Sequence, residues 1–234
     1  MAKELYHRNP EDYVPDSLKS REKFKNPNNR VYLEGRIVED LQIEYEFNNV
    51  KYYKTMVVVK RINGTFDKIP IVMSDSLAME KFHYYVLDKY VKVAGEYQSY
   101  NKEDEFGKKH VLLYVFVKHI EVFSGKEKIE KGDTGNAIFL RGRVCKEPVV
   151  RGENQDIVNI VLEVPRAKGI TTHKDYINCV YMTKNSTISR KLKYDDLVEI
   201  YGIIQSRRYL KKDEPNGVYK TAYNVLIKRI FRLK

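Results

Sequence analysis

The sequence predicts an all-β protein of two tandem five-stranded Greek-key barrels, each carrying one short helix. Three observations lead there. Short segments rich in β-branched residues and bounded by polar turns recur along the 234 residues. The stretch 136–151 (NAIFLRGRVCKEPVVR) has a counterpart at 29–38 (NRVYLEGRIV), with Asn29/Asn136, Leu33/Leu140, Gly35/Gly142 and Arg36/Arg143 each 107 positions apart. In each copy a single helical or loop crossover falls between the third and fourth strand signals.

Residues 1–28 hold Pro10, Pro15 and Pro27 among charges with little periodicity. They read as an N-terminal arm, whose isolated apolar residues Leu5, Tyr6 and Phe24 could pack on the first domain. That domain spans 29–123. Its first strand, 31–38, shares the period-2 alternation that Ile138, Leu140 and Val144 show in the second copy. A polar gap separates it from the second strand, 52–60 (YYKTMVVVK), rich in β-branched residues. Ile62-Asn63-Gly64-Thr65 is a turn signal, and 67–73 is the third strand. Ser74-Asp75-Ser76 then offers a helix cap, followed by Leu77, Met79, Phe82, Tyr85 and Val86 at mixed helical spacing. The fourth strand is 90–97, a polar loop with Gly107 covers 101–109, and the fifth strand is 111–123. Residues 124–135, with three glycines and balanced charge, read as a linker. The second domain, 136–234, repeats the order. It has strands at 138–144, 157–164 and 175–182, a crossover in 184–193, and strands at 197–205 and 219–232 around a polar loop with Pro215-Asn216-Gly217.

Further pairs keep the register: Asp88/Asp195, Gly95/Gly202, Gln98/Gln205 and Ser99/Ser206 are also 107 apart. Spacing that survives in this way marks a duplicated unit of about 100 residues. A glycine inside a strand marks a bulge or a sharp bend, so the mid-strand glycines suit the curvature of a small barrel. Five strands with a helix between the third and fourth is the element order of the OB-fold, a partly open barrel that binds oligonucleotides on one face. Two unrelated small β-sandwiches are the competing reading, and the helix position and the repeat weigh against it.

Composition narrows the function. Net charge is +11 with a pI near 9.3, which favours polyanionic partners and says nothing of fold. The charge is unevenly shared. Residues 29–123 hold 14 Lys+Arg against 14 Asp+Glu, whereas 136–234 hold 20 against 10. Two cysteines, Cys145 and Cys179, argue against a disulfide framework and fit a reducing, cytoplasmic setting. No apolar run is long enough to span a membrane or serve as a signal peptide. In the basic half, cations and rings are interleaved: Lys174-Asp175-Tyr176, Arg207-Arg208-Tyr209, Tyr219-Lys220 and Tyr223. Single strands are held in this manner, with cations along the backbone and rings stacked on bases. Strand packing explains any one tyrosine as well as stacking does; the set on a basic barrel favours binding.

At these residues the second half resembles the bacterial-type single-stranded DNA-binding protein family. Asn136 to Arg151 is similar to that family's first strand and turn, 175–180 (DYINCV) to its third strand, and 202–209 (GIIQSRRY) to its fourth strand and hairpin. The resemblance implies that Tyr176 and Tyr209 take the two ring positions, with Arg207 and Arg208 beside the second and Lys184 near a basic position after the third strand. Arg141 and Arg166 are expected to join the phosphate contacts. A third ring usual in the family falls at about Met182. In the first half the position of Tyr176 is held by Lys68, and that of Tyr209 falls near Tyr100 without paired arginines, which implies a weak or modified binder. The family commonly assembles four OB-folds, so two chains of two imply a homodimer. Its cellular members end in an acidic recruitment tail, whereas this sequence ends Phe231-Arg232-Leu233-Lys234, which points to a phage, mobile-element or specialised version.

No catalytic, metal or cofactor constellation is found. His7, His83, His110, His119 and His173 are scattered, and the two cysteines fall in predicted strands, where thiols are buried and structural. Glu44 and Glu46, or Asp195 and Asp196, read as solvated carboxylates rather than a nuclease site. The expectation is a non-enzymatic protein that coats single-stranded DNA without sequence preference in replication, recombination or repair. An OB-fold adaptor of a replication or conjugation complex and an RNA-binding OB protein are the alternatives.

Overall fold

The structure, a computed structural model, describes residues 16–19, 24, 26–103, 107, 109–123, 135–154, 156–166, 173–182, 192–211 and 218–233. In chain order they form α1 (Asp16–Lys19), β1 (Asn29–Ile37), β2 (Gln42–Phe47), β3 (Val50–Lys60), β4 (Phe66–Ser74), α2 (Asp75–Phe82), β5 (Tyr90–Glu103) and β6 (Lys109–Phe123). They continue with β7 (Asn136–Val144), β8 (Val149–Arg151), β9 (Ile157–Pro165), β10 (Lys174–Met182), β11 (Leu197–Lys211) and β12 (Val218–Arg232). The protein is mostly strand. All twelve strands belong to one hydrogen-bonded sheet, ordered β2-β3-β4-β6-β5-β1-β7-β11-β12-β10-β9-β8. Among the described residues no helix is long and apolar enough to cross a membrane.

The duplicated stretch lies at the centre of that order. β1 and β7 pair antiparallel, with Asn29 opposite Leu140, Val31 opposite Ile138 and Leu33 opposite Asn136. Exchanging the repeats maps this register onto itself, so the joint has an internal two-fold. Beyond it, Glu34 N–H donates to Gly135 O (2.7 Å) and Arg141 N–H to Asn28 O (2.8 Å), another exchanged pair. Val31, Leu33, Ile138 and Leu140 are fully buried in one hydrophobic cluster that runs through both halves. The N-terminal segment covers the outside of the joint. Leu18 and Phe24 belong to a cluster with Ala94, Ala137, Phe139 and Tyr201, which draws on both halves. Leu5 and Tyr6 lie outside the described residues.

The recurring residues have recurring jobs. Asn29 Nδ2 donates to Tyr97 O (2.7 Å) while its Oδ1 accepts from Tyr97 N–H (2.8 Å). Asn136 does the same with Ile204, at 2.8 and 3.0 Å. A side-chain amide, carrying both a donor and an acceptor, thus continues the ladder where β1 and β7 leave β5 and β11. Arg36 and Arg143 each donate from Nη1 to the carbonyl of Asp88 (3.4 Å) or Asp195 (3.0 Å). Both aspartates sit in left-handed turns, at φ 60° and 66°.

β7 turns at Gly142. On one edge β7 stays paired with β11 through Arg143; on the other it passes from β1, paired up to Leu140, to β9, where Arg143 lies opposite Glu163. β1 behaves alike, with Gly35 opposite Val91 and Arg36 opposite Val58 of β3. These extra pairings join the ends of the runs β3-β4-β6-β5-β1 and β7-β11-β12-β10-β9. A Cβ on Gly142 would lie 2.5 Å from Glu163 O, a backbone atom that cannot swing aside. Gly142→Ala is therefore expected to destabilise by about 1–3 kcal/mol, read as a lower urea midpoint. An unchanged midpoint would contradict the close approach.

Ser74 caps α2 as expected, its Oγ accepting the Leu77 N–H. The crossover expected in 184–193 falls largely outside the described residues. Two strands escape the sequence reading. β2 occupies what reads as a polar gap: it is an edge strand, and edge strands carry polar residues because one side is solvated. The missed signal is Asn48-Asn49, at φ 50° and 59°, the two-residue turn that puts Phe47 opposite Val50. β8 is the corresponding three-residue edge strand on β9.

Candidate nucleic-acid interface

Two matched clasps hold the halves together and place the candidate residues. Asp175 on β10 is fully buried and accepts the N–H (2.7 Å) and the hydroxyl (3.2 Å) of Ser99 from the other half. Arg166 completes it, donating Nε to Asp175 Oδ2 (3.1 Å) and Nη2 to Asp175 Oδ1 (2.8 Å) and Ser99 O (2.8 Å). In the exchanged position Asp67, also buried, accepts the N–H (2.7 Å) and hydroxyl (3.1 Å) of Ser206. Arg61 grips Asp67 through Nε (2.6 Å) and Nη2 and reaches Ser206 O at 3.1 Å. Arg166 is thus a seam residue.

The clasps set the rings. Tyr176 follows Asp175, and its N–H donates to Ser99 Oγ (3.1 Å). Its ring stays 49% exposed, with the hydroxyl 3.4 Å from Glu163 Oε2. Met182, where a third ring was expected, is exposed at the end of the same strand. Tyr209 lies on the far part of the β11–β12 hairpin, opposite Lys220 and 38% exposed. Arg207 and Arg208 are exposed next to it, and the Arg208 guanidinium lies 4.3 Å over the Tyr219 ring. In the first half Tyr100 follows Ser99, so it adjoins the same clasp as Tyr176.

The remaining expected cations are unevenly disposed. Arg141 is exposed on β7, 3.8 Å from Glu199. Lys184 lies outside the described residues. Lys174 pairs with Glu163 at 2.5 Å, and this hydrogen bond raises its pKa. Lys68, the counterpart of Tyr176, donates its N–H to Ser206 Oγ (3.1 Å) and pairs with Glu39. Sequence reasoning did not find the open cavity of about 260 Å³ beside the second clasp, lined by Lys60, Arg61, Asn63, Asn136, Gln205 and Lys228. The clasp forms only on folding, so the chain order of these residues does not announce it.

Cys179 is buried, and burial pushes its thiol far up; Cys145 is half-buried, with its thiol raised for the same reason. Thiolates are therefore scarce at neutral pH. Among the described residues no three His, Cys, Asp or Glu side chains are grouped to hold a metal ion.

No protein-family model matches the sequence, and no curated protein does. Solved structures do. The wild-type single-stranded DNA binding protein of Thermus aquaticus superposes with a TM-score of 0.65 at 14% identity, covering 88% of this chain and 93% of that one. This chain shares that fold. A deletion mutant of the same Thermus aquaticus protein gives 0.63 at 15% identity, over 88% and 94%. Because 88% of this chain is matched, the likeness takes in both halves.

Proposed function

We propose that the chain is a tandem OB-fold protein that coats single-stranded DNA without sequence preference and acts by binding alone. The units are residues 29–123 and 136–234, preceded by an arm (1–28) and separated by a linker (124–135). One observation carries the reading: on a fold shared with a single-stranded DNA binding protein, the basic half exposes Tyr176 and Tyr209 with Arg207 and Arg208 beside the second ring. Rings accept any base because every base has a π-face, and the arginines meet phosphates whatever the sequence. Arg141 and Lys184 are the further phosphate contacts of this reading. Arg166 is assigned to the clasp, where Asp175 and Ser99 take its donors. The protein would serve in the cytoplasm in replication, recombination or repair, as a homodimer presenting four OB-folds; sedimentation at micromolar concentration tests the dimer.

Fluorescence titration with oligo-dT, oligo-rU and duplex DNA over a salt series tests the function. Tight binding to oligo-dT that weakens steeply with salt is expected, at a slope of about −0.7 per phosphate neutralised. Preference for duplex would overturn the proposal, and preference for oligo-rU would reassign it to RNA.

A further inference from the structure

We infer that Tyr52, Tyr45 and Tyr100 form a pre-assembled column of rings in the charge-neutral half, and that a base of the bound single strand continues the stack on Tyr100. This rests on the proposed single-strand binding; the resemblance already places Tyr100 near a ring position, and the structure adds Tyr45 and Tyr52 as the fixed stack behind it.

The three rings come from three strands. Tyr45 lies between the other two, 4.7 Å from Tyr52 and 5.5 Å from Tyr100 between centroids, with interplanar angles of 20° and 17°. A β-bulge puts it there. The register of β2 on β3 shifts between Ile43 and Tyr45, leaving Glu44 as the extra residue. Bulges re-aim side chains in this way. The Glu44 carboxylate is only 5% exposed and is held by Lys54 (2.9 Å) from β3 and Lys102 (3.2 Å) from β5. Burial works against its ionisation, but the two lysines outweigh that and its pKa ends below the ordinary value. β2 is thereby tied to the two strands that carry Tyr52 and Tyr100. On the far side, Tyr52 leans on Phe116 at 5.8 Å.

The column's other end is Tyr100, 37% exposed. A ring already fixed by its neighbours loses little freedom when a base stacks on it, whereas a lone surface tyrosine must first be ordered. Tyr100 also borders the clasp that positions Tyr176 of the basic half. It adjoins Ser99, whose Oγ accepts the N–H of Tyr176. Tyr100 is the ring that meets the base; Tyr45 and Tyr52 are positioning residues. The nearby lysines are engaged by Glu44, so stacking, rather than phosphate neutralisation, is what this half offers.

That distinction sets the test, run with the full chain and oligo-dT of about 35 nucleotides, enough for two OB-folds. Tyr100→Leu is expected to bind about tenfold more weakly with the salt slope unchanged, because no phosphate contact is lost. Tyr45→Leu is expected to weaken binding in the same sense with the same slope. Wild-type affinity in Tyr100→Leu overturns the inference. So does a drop in affinity that comes with a shallower slope. Absence of oligo-dT binding by the wild-type chain overturns the underlying reading instead. A second measurement needs no variant. Oligo-dT carrying 5-iododeoxyuridine, irradiated on the wild-type chain, is expected to cross-link to Tyr100 as well as to the basic half. Cross-links confined to residues 136–234 would sink the column's role.

Discussion

Replacing Tyr176 and Tyr209 together by alanine is expected to weaken oligo-dT binding by about 4 kcal/mol, on the order of a thousandfold. Each ring is exposed on a strand of the basic half, and stacking contributes about 1–3 kcal/mol per base. The losses should add, because the rings stand on different strands, β10 and β11. The double variant should keep the salt slope of the wild type, while Arg207→Ala with Arg208→Ala should flatten it by more than one unit. Fluorescence titration at several salt concentrations reads both. A double tyrosine variant that binds as the wild type does would displace the site from these strands.

The second large effect is on stability. Asp175→Ala is expected to destabilise by about 3 kcal/mol, the lower end for breaking a buried ion pair, because Arg166 is 30% exposed and water can reach it. The loss also leaves the Ser99 N–H without its carboxylate acceptor. Urea unfolding measures it, and Asp67→Ala should behave alike because its clasp is the same by exchange. Asp175→Ala should also weaken oligo-dT binding, since Tyr176 is the next residue and takes its position from Ser99. Near-wild-type stability in both variants would mean that the β1–β7 joint alone holds the halves.

Much of this architecture was readable from spacing. The repeat marked the strands because each job it encodes falls at fixed register, such as an alternating strand or a glycine where one edge of β7 passes from β1 to β9, and the helix cap at Ser74 was legible locally. The long-range polar contacts were not readable. Asp67 and Asp175 align between the copies, but a carboxylate in a strand looks solvated until Ser206 or Ser99 arrives from the other half. Arg166 was expected on phosphate for the same reason: a cation after a strand looks available until its partner is placed. β2 failed a different rule, since its exposed face gives no alternation, although Asn48-Asn49 marks the turn. Tyr45 needs the bulge at Glu44 to meet Tyr52 and Tyr100, and a bulge leaves no pattern in the sequence.

The most direct test of the central claim is a competition. Labelled oligo-dT is bound to the chain, and unlabelled single strands of mixed sequence are compared with the same sequences annealed as duplex. The account predicts that all single strands displace the label at similar concentrations, while duplex requires about a hundredfold more. Displacement by duplex as readily as by single strands, or by one sequence far ahead of the rest, would contradict it.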